Sequence, residues 1–451
     1  HRDLHSFPTR RSSDLREYLL VMKYSSKIGK LRVTYQGQQY TMPKIAKFLK
    51  NEDRVIREET WRLYMGRLIQ EEDTLNKLYE KQLAIRTKRA QKQGYTNVRD
   101  FFHITKGRTG YTPEDCMVFH SAIEANVIPF VRELNEKRQQ KMGLENLRPW
   151  DKAVDLEEDE KVPFESIEEL VTKMVKAYEK VSPRYGEILG GMHKNGFIDA
   201  ENRKGKMPGA MCMPLLEHNG GFILANCTIS DSDIETLAHE GGHGLHWASM
   251  ASQPYAPYIE GMLFPMELAE LGSMTMELLI LDHASEFFPD ETTLKKAKRD
   301  MLVGALRSLP WIMTVDAFQQ WIYTHPNHTR EERAGFFKSL MERFETATGV
   351  DYTGLEREQQ VRWLNQGHIF QSPFYYIEYG IAQLGAFAIY RNYKKNPKQA
   401  IEEYDRFLHL GNSKPLNEVY AAAGVKFDLS KEYVAEIIGF IINEIKTLDA
   451  V

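Results

Sequence analysis

His239-Glu240-Gly241-Gly242-His243 sets two imidazoles four residues apart with a carboxylate between them. On a helix, residues four apart share a face about 6 Å from one another, so their ring nitrogens can reach one metal ion. Glu240 stands one step round, where it can touch a water at the metal without being a ligand. This is the HExxH pattern of zinc peptidases, and it predicts His239 and His243 as zinc ligands and Glu240 as general base. The flanking Leu237, Ala238, Leu245 and Trp247 predict a buried helix, where an unpartnered histidine or glutamate is costly. Two glycines, poor helix formers, predict that another part of the chain approaches this backbone closely.

The third ligand must come from elsewhere. A metzincin would carry a histidine ten positions after His239, but that position is Ser249. His246 lies on roughly the same face, yet almost two turns, about 10 Å, from His239. Residues 265–279 offer a better donor. From Leu268 to Leu281 this stretch is apolar apart from small residues and two carboxylates, Glu270 and Glu277, seven apart on one face. Glu270 sits among Ala269, Gly272 and Ser273, which permit close packing, and a buried carboxylate requires a cation. Glu270 is therefore the expected ligand, ahead of Glu267 and Glu260 nearer the exposed start. Glu277 would orient a metal-bound histidine from behind. Further on, Gly367-His368 precedes the run Pro373-Phe374-Tyr375-Tyr376-Ile377-Glu378-Tyr379-Gly380. That run reads either as an aromatic core strip or as a set of donors to a tetrahedral oxyanion.

The elements that position these residues are mainly helical. Ser232 with Glu235 fits a capping box at the start of the HEGGH helix, and Asp231 and Asp233 suit its dipole. Just upstream, residues 211–214 and 221–226 read as two short strands around a His218-Asn219-Gly220 turn. The strand at 222–226 would offer an edge to an extended peptide. Residues 31–42 alternate around Gln36-Gly37 and predict a hairpin. A charged helical stretch runs from Pro43 to Gln93 and stops at Gly94-Tyr95. Another starts at Thr112-Pro113-Glu114 and runs to Met142-Gly143; residues 151–161 form an acidic loop, and 164–189 are helical. The expected fold is mainly α with a small β-sheet beside the zinc helix. In chain order this gives an N-terminal helical region at 16–200 and a catalytic region at 201–451. Residues 1–15 begin without methionine, match nothing that follows and resemble a translated sequencing adapter, so they are set aside as a non-native leader.

At 451 residues, 42% hydrophobic and 27% charged, the composition is that of a globular protein. A net charge of −4 supplies no broad basic field, which argues against nucleic acid as a partner. The longest apolar run, near Met276–Leu281, falls short of the roughly 18 residues of a membrane span. Three scattered cysteines (Cys116, Cys212, Cys227) suit buried thiols in a reducing compartment, and the cytoplasm is expected.

With these residues in view, the chain resembles the thimet oligopeptidase and oligoendopeptidase F family of zinc metallopeptidases, the oligoendopeptidase F branch most. The resemblance spans Ser26 to Val451. It includes Ser26-Lys27-Ile28-Gly29-Lys30-Leu31, Leu147-Arg148-Pro149-Trp150-Asp151, residues 221–226, His239 to His246, Glu270 to Glu277, and His368 to Leu384. It implies two helical lobes around a deep channel, one zinc ion per chain and oligopeptide substrates. It also implies His239, His243 and Glu270 as ligands, Glu240 as base, and His368 as the transition-state histidine. The tyrosine pair falls on Tyr376 and Tyr379, with Tyr375 a substitute for Tyr376 because the interval from His368 is one residue short. Two departures stand out: Gly241 replaces a usually bulky residue, and the chain is shorter at its N-terminus than members of the branch. Rival expectations are a zinc hydrolase of non-peptide amides or esters and an inactive helical binding protein of the same fold.

Overall fold

The computed structural model describes residues 7–154, 162–203, 206, 209–254 and 264–449. Internal contacts divide the chain into two compact units of three segments each. The first contains His1–Thr105, Ile123–Asp159 and Leu309–Ile377; the second contains Lys106–Ala122, Glu160–Ser308 and Glu378–Val451.

In the first unit, helix Phe7–Lys30 leads into the expected hairpin of β1 (Arg32–Tyr35) and β2 (Gln38–Thr41). The strands pair antiparallel with Arg32 opposite Thr41, and Gln36 and Gly37 take φ of 49° and 77°. Two positive φ values in succession give the turn whose twist matches its strands. Val33 and Tyr35 turn inward onto Leu31, Met42 and Ile45, which is the physical source of the alternation. Residues 7–15, set aside as a leader, lie in the first turns of helix Phe7–Lys30, and Asp14 accepts a hydrogen bond from Arg89 at 3.0 Å. The stretch after Pro43 is three α-helices, Met42–Ala46, Arg54–Gln70 and Glu72–Lys92, and it stops at Gly94, whose φ is 84°. Asp151 is fully buried and accepts from Arg54 and Arg57 at 2.9 Å each, so the 147–151 motif serves as a structural clamp. Most of the expected acidic loop, residues 155–161, lies outside the described residues.

In the second unit, helices Ile167–Val181 and Pro183–Lys194 meet at Ser182-Pro183. A three-stranded sheet follows: β3 (Ile198–Glu201), β4 (Met211–Leu215) and β5 (Gly220–Cys227). The predicted pair β4 and β5 is antiparallel, and Asn219 turns between them with φ of 52°. The added strand β3 runs parallel to β5 on its other side. Its sequence, Ile198-Asp199-Ala200-Glu201, is too short and polar to signal a strand by itself. The central place of β5 corrects the expectation of a free edge at 222–226: both its edges are occupied, and among the described residues the sheet's outer edges belong to β3 and β4.

Helix Glu291–Thr324, 34 residues long, holds an 18-residue window with a mean hydropathy of 1.2. By length and composition it could cross a membrane, unlike any run expected from the sequence. Since 67% of that window is buried within the protein, it has the character of a core helix. Cys116, Cys212 and Cys227 are all free thiols.

Candidate metal centre

Helix Ser232–Ala251 carries the HEGGH sequence. The Ser232–Glu235 capping box does not form, because Ser232 already stands inside the first turn. Asp233 reaches back instead and accepts the backbone N–H groups of Thr228 at 3.0 Å and Ser230 at 2.9 Å. Each glycine of the motif faces a neighbour where a side chain would be. A Cβ on Gly242 would stand 2.7 Å from Cα of Ser273 on helix Met266–Leu281. On Gly241 it would meet the Tyr178 hydroxyl at 2.6 Å, and that hydroxyl itself donates to the Ala238 carbonyl. This near-contact of two helix backbones brings Glu270, one turn before Ser273, to the histidines.

Oε2 of Glu270 lies 3.2 Å from Nε2 of His239 and 3.9 Å from Nε2 of His243. The three residues offer ligand atoms that all fall within 4.8 Å of one another. Tetrahedral zinc with bonds of about 2.0–2.2 Å sets its ligand atoms about 3.4 Å apart, an edge that the two distances bracket. Nδ1 of His239 is 2.6 Å from Oε1 of Glu277, which fixes the ring and leaves Nε2 for the site. In donor type, spacing and orientation the three residues fit a zinc ion.

The electrostatics agree. Burial lowers the pKa of His239, but Glu270 and Glu277 outweigh it and raise the value well above normal. His243 is pushed down to about 4 by burial and by His239. Glu240 is 6% exposed, and its Oε2 has no hydrogen-bond partner among the described residues. Burial lifts its pKa to about 7; His239 opposes this, while Glu270 and Glu277 add to it. Glu240 opens on a cavity of about 370 Å³ that His239, Glu277, Glu235 and Asn226 also line.

Other candidates fall away from this group. His246 packs against Gly272 and among the rings of Phe264, Phe407 and Trp247, and burial depresses its pKa to about 3. Glu267, expected near an exposed helix start, is 1% exposed and accepts from the Tyr111 hydroxyl at 3.2 Å. Glu260 lies outside the described residues.

His368 belongs to the first unit, on the short helix Gly367–Gln371. The segment that follows His368 is tethered at both ends. Arg86 donates to the carbonyls of Ile369 at 3.2 Å and Phe370 at 2.6 Å. Gln319 accepts the N–H of Phe374, whose φ is 59°, at 2.6 Å. The His368 ring centroid lies 5.6 Å from that of Tyr375 and 4.9 Å from that of Tyr376. Tyr376 opens helix Tyr376–Lys395, and Tyr379 follows one turn later.

The description of peptidase family M3 matches residues 47–438 of this chain. The chain belongs to peptidase family M3. An oligoendopeptidase F homolog of Borreliella burgdorferi is 26% identical over 400 residues, covering 86% of this chain and 64% of that one. The group B oligopeptidase PepB of Streptococcus agalactiae is 25% identical over 398 residues, 84% of this chain and 61% of that one. A solved structure of PZ peptidase A with an inhibitor gives a TM-score of 0.86 at 26% identity, over 98% of this chain and 77% of that one. These likenesses set the M3 chain in the oligoendopeptidase F branch. The chain spans less than two thirds of the length of the curated relatives named here.

Within this M3 chain, sequence reasoning passed over Lys106 and Arg108. In the second unit both reach Glu378, at 3.2 and 2.7 Å, and so anchor the residue beside Tyr379. The available signal was Glu378 itself, a lone charge inside an aromatic run.

Proposed function

We propose that this chain is a zinc-dependent endopeptidase acting on short oligopeptides. The observation that carries the reading is the convergence of His239, His243 and Glu270, with the buried Glu240 carboxylate opening on the adjoining cavity. His239, His243 and Glu270 would hold one zinc ion per chain, and Glu277 would keep His239 turned towards it. When bound, zinc supplies Lewis acidity, which polarises the scissile carbonyl and lowers the pKa of water towards ~7.

Glu240 takes the proton of the attacking water as the new C–O bond forms. It returns that proton to the leaving amine as the C–N bond breaks, so no covalent intermediate is required. Burial, which disfavours the ionised carboxylate, strengthens its hold on the proton between these two steps. His368 and Tyr379, with Tyr376 or Tyr375 as second tyrosine, would donate to the oxyanion, in the roles that the family resemblance implies. The names of the relatives, oligoendopeptidase and oligopeptidase, support peptide substrates. The three free thiols support a reducing compartment such as the cytoplasm.

The test is metal analysis of the purified chain alongside cleavage of a quenched oligopeptide. One zinc per chain is expected, with activity abolished by o-phenanthroline and restored by zinc. Full activity of a metal-free preparation would overturn the reading.

A further inference from the structure

We propose that Gln366 and Trp311 position His368 by deciding which of its ring nitrogens carries the proton. The inference rests on the reading of His368 as an oxyanion donor and deepens it. A neutral imidazole has one N–H and one lone pair, so it can stabilise an anion only through the protonated nitrogen. Something must therefore select the tautomer.

Nε2 of Gln366 stands 2.9 Å from Nδ1 of His368. At the other side of the same amide, Oε1 of Gln366 lies 3.0 Å from Nε1 of Trp311. An indole N–H only donates, so the amide must turn its oxygen towards Trp311. In the reversed orientation two N–H groups would face each other. The amide nitrogen consequently faces His368 and donates, Nδ1 must accept, and the ring proton is confined to Nε2.

The anchor is itself held. The Arg362 guanidinium lies over the Trp311 ring, 4.7 Å from its centroid, and Phe337 meets that ring edge-on. The Tyr376 ring lies beside the group, its centroid 4.9 Å from that of His368. Trp311, Gln366, His368, Tyr376 and Arg362 all belong to the first unit, so the arrangement is built by that unit's own packing. Sequence spacing alone hides it, because Trp311 lies 55 residues before Gln366.

The relay makes a spectroscopic and a kinetic prediction, both on the zinc-loaded full chain. With ¹⁵N-labelled histidine, and His368 identified by its loss in His368→Asn, wild-type Nδ1 should be unprotonated and Nε2 protonated at slightly alkaline pH. Gln366→Glu replaces the donor by an acceptor and should move a proton onto Nδ1. Gln366→Leu and Trp311→Phe should each lower kcat about 10- to 100-fold, the usual cost of losing a group that orients a histidine. KM and zinc content should hold. A wild-type ring protonated at Nδ1 would overturn the tautomer assignment. Wild-type kcat in Gln366→Leu, where His368→Ala has lost it, would overturn the positioning role while leaving the peptidase reading intact. Wild-type kcat in His368→Ala would remove the oxyanion role itself, and the ¹⁵N spectrum would still decide the tautomer on its own.

Discussion

Gly242→Ala tests whether the closeness of two helices builds the metal cage. The new Cβ would stand 2.7 Å from Cα of Ser273 and 3.2 Å from both its carbonyl oxygen and Cβ of Met276. Carbon atoms rest at about 3.5 Å, so the backbones must part by about 0.8 Å along this line. Backbone cannot rotate aside as a flexible side chain would. Glu270 sits one turn from Ser273 and moves with it, so its 3.2 and 3.9 Å approaches to the histidines open by a similar amount. Metal sites tolerate deviations of only about 0.2 Å, and zinc affinity should therefore fall about 10- to 100-fold. Overpacking costs about 1–3 kcal/mol, and alanine's better helix propensity offsets about 1 of that. The net loss of stability of the metal-free chain should thus be about 0–2 kcal/mol. Gly66, a mid-helix glycine with nothing within 4 Å, is the control: Gly66→Ala should stabilise by about 0.5–1 kcal/mol and leave zinc binding unchanged. Competition with a chromogenic chelator reads the affinity, and urea unfolding of the metal-free chain reads the stability. If Gly242→Ala binds zinc as tightly as the wild type, close helix packing does not set the ligand geometry.

Three further outcomes follow from the same site. Glu240→Gln should keep its zinc while kcat falls by several orders of magnitude, which metal analysis and single-turnover kinetics would check. Glu277→Gln weakens the 2.6 Å hold on Nδ1 of His239 and should lower zinc affinity about 10- to 100-fold, with helix content by circular dichroism unaltered. His246→Met should keep zinc and make the chain less sensitive to acid. Because the folded pKa of His246 is depressed to about 3, the unfolded chain binds its proton first as pH falls below about 6.5. The wild type therefore loses stability between those values and the variant loses less; zinc lost from His246→Met would instead make that residue a ligand.

How far the sequence could be read depended on whether a signal was local. His239 and His243 stand one helical turn apart, and a helix converts that spacing into shared direction without help from the rest of the fold. Glu270 was accessible through a different argument, the cost of burying a carboxylate in an apolar helix. The two glycines announced a close neighbour, but only the fold shows that the neighbours are Ser273 and Tyr178. Where partners are distant in the chain, the reading failed for definite reasons. Strand β3 is a strand because β5 lies beside it, and its own four residues carry no alternation. Ser232 looked like a cap until the helix began one residue earlier than a cap requires, which passed the work to Asp233. A sequence can only be cut in order, whereas each compact unit here draws on three separate segments.

Two histidines of this chain show how little the residue type alone determines. At His239 the group facing Nδ1 is a carboxylate, Glu277, which can only accept when ionised. That acceptor would keep a proton on Nδ1 and leave the Nε2 lone pair for a metal ion. At His368 the group facing Nδ1 is an amide nitrogen, which donates, and this places the proton on Nε2. Opposite tautomers thus suit opposite tasks, one nitrogen offered to a metal and the other to a developing anion. The choice lies in a neighbour two residues away at His368 and on another helix at His239. It explains why exchanging the two partner types, an amide for Glu277 or a carboxylate for Gln366, should harm each site although every histidine stays in place.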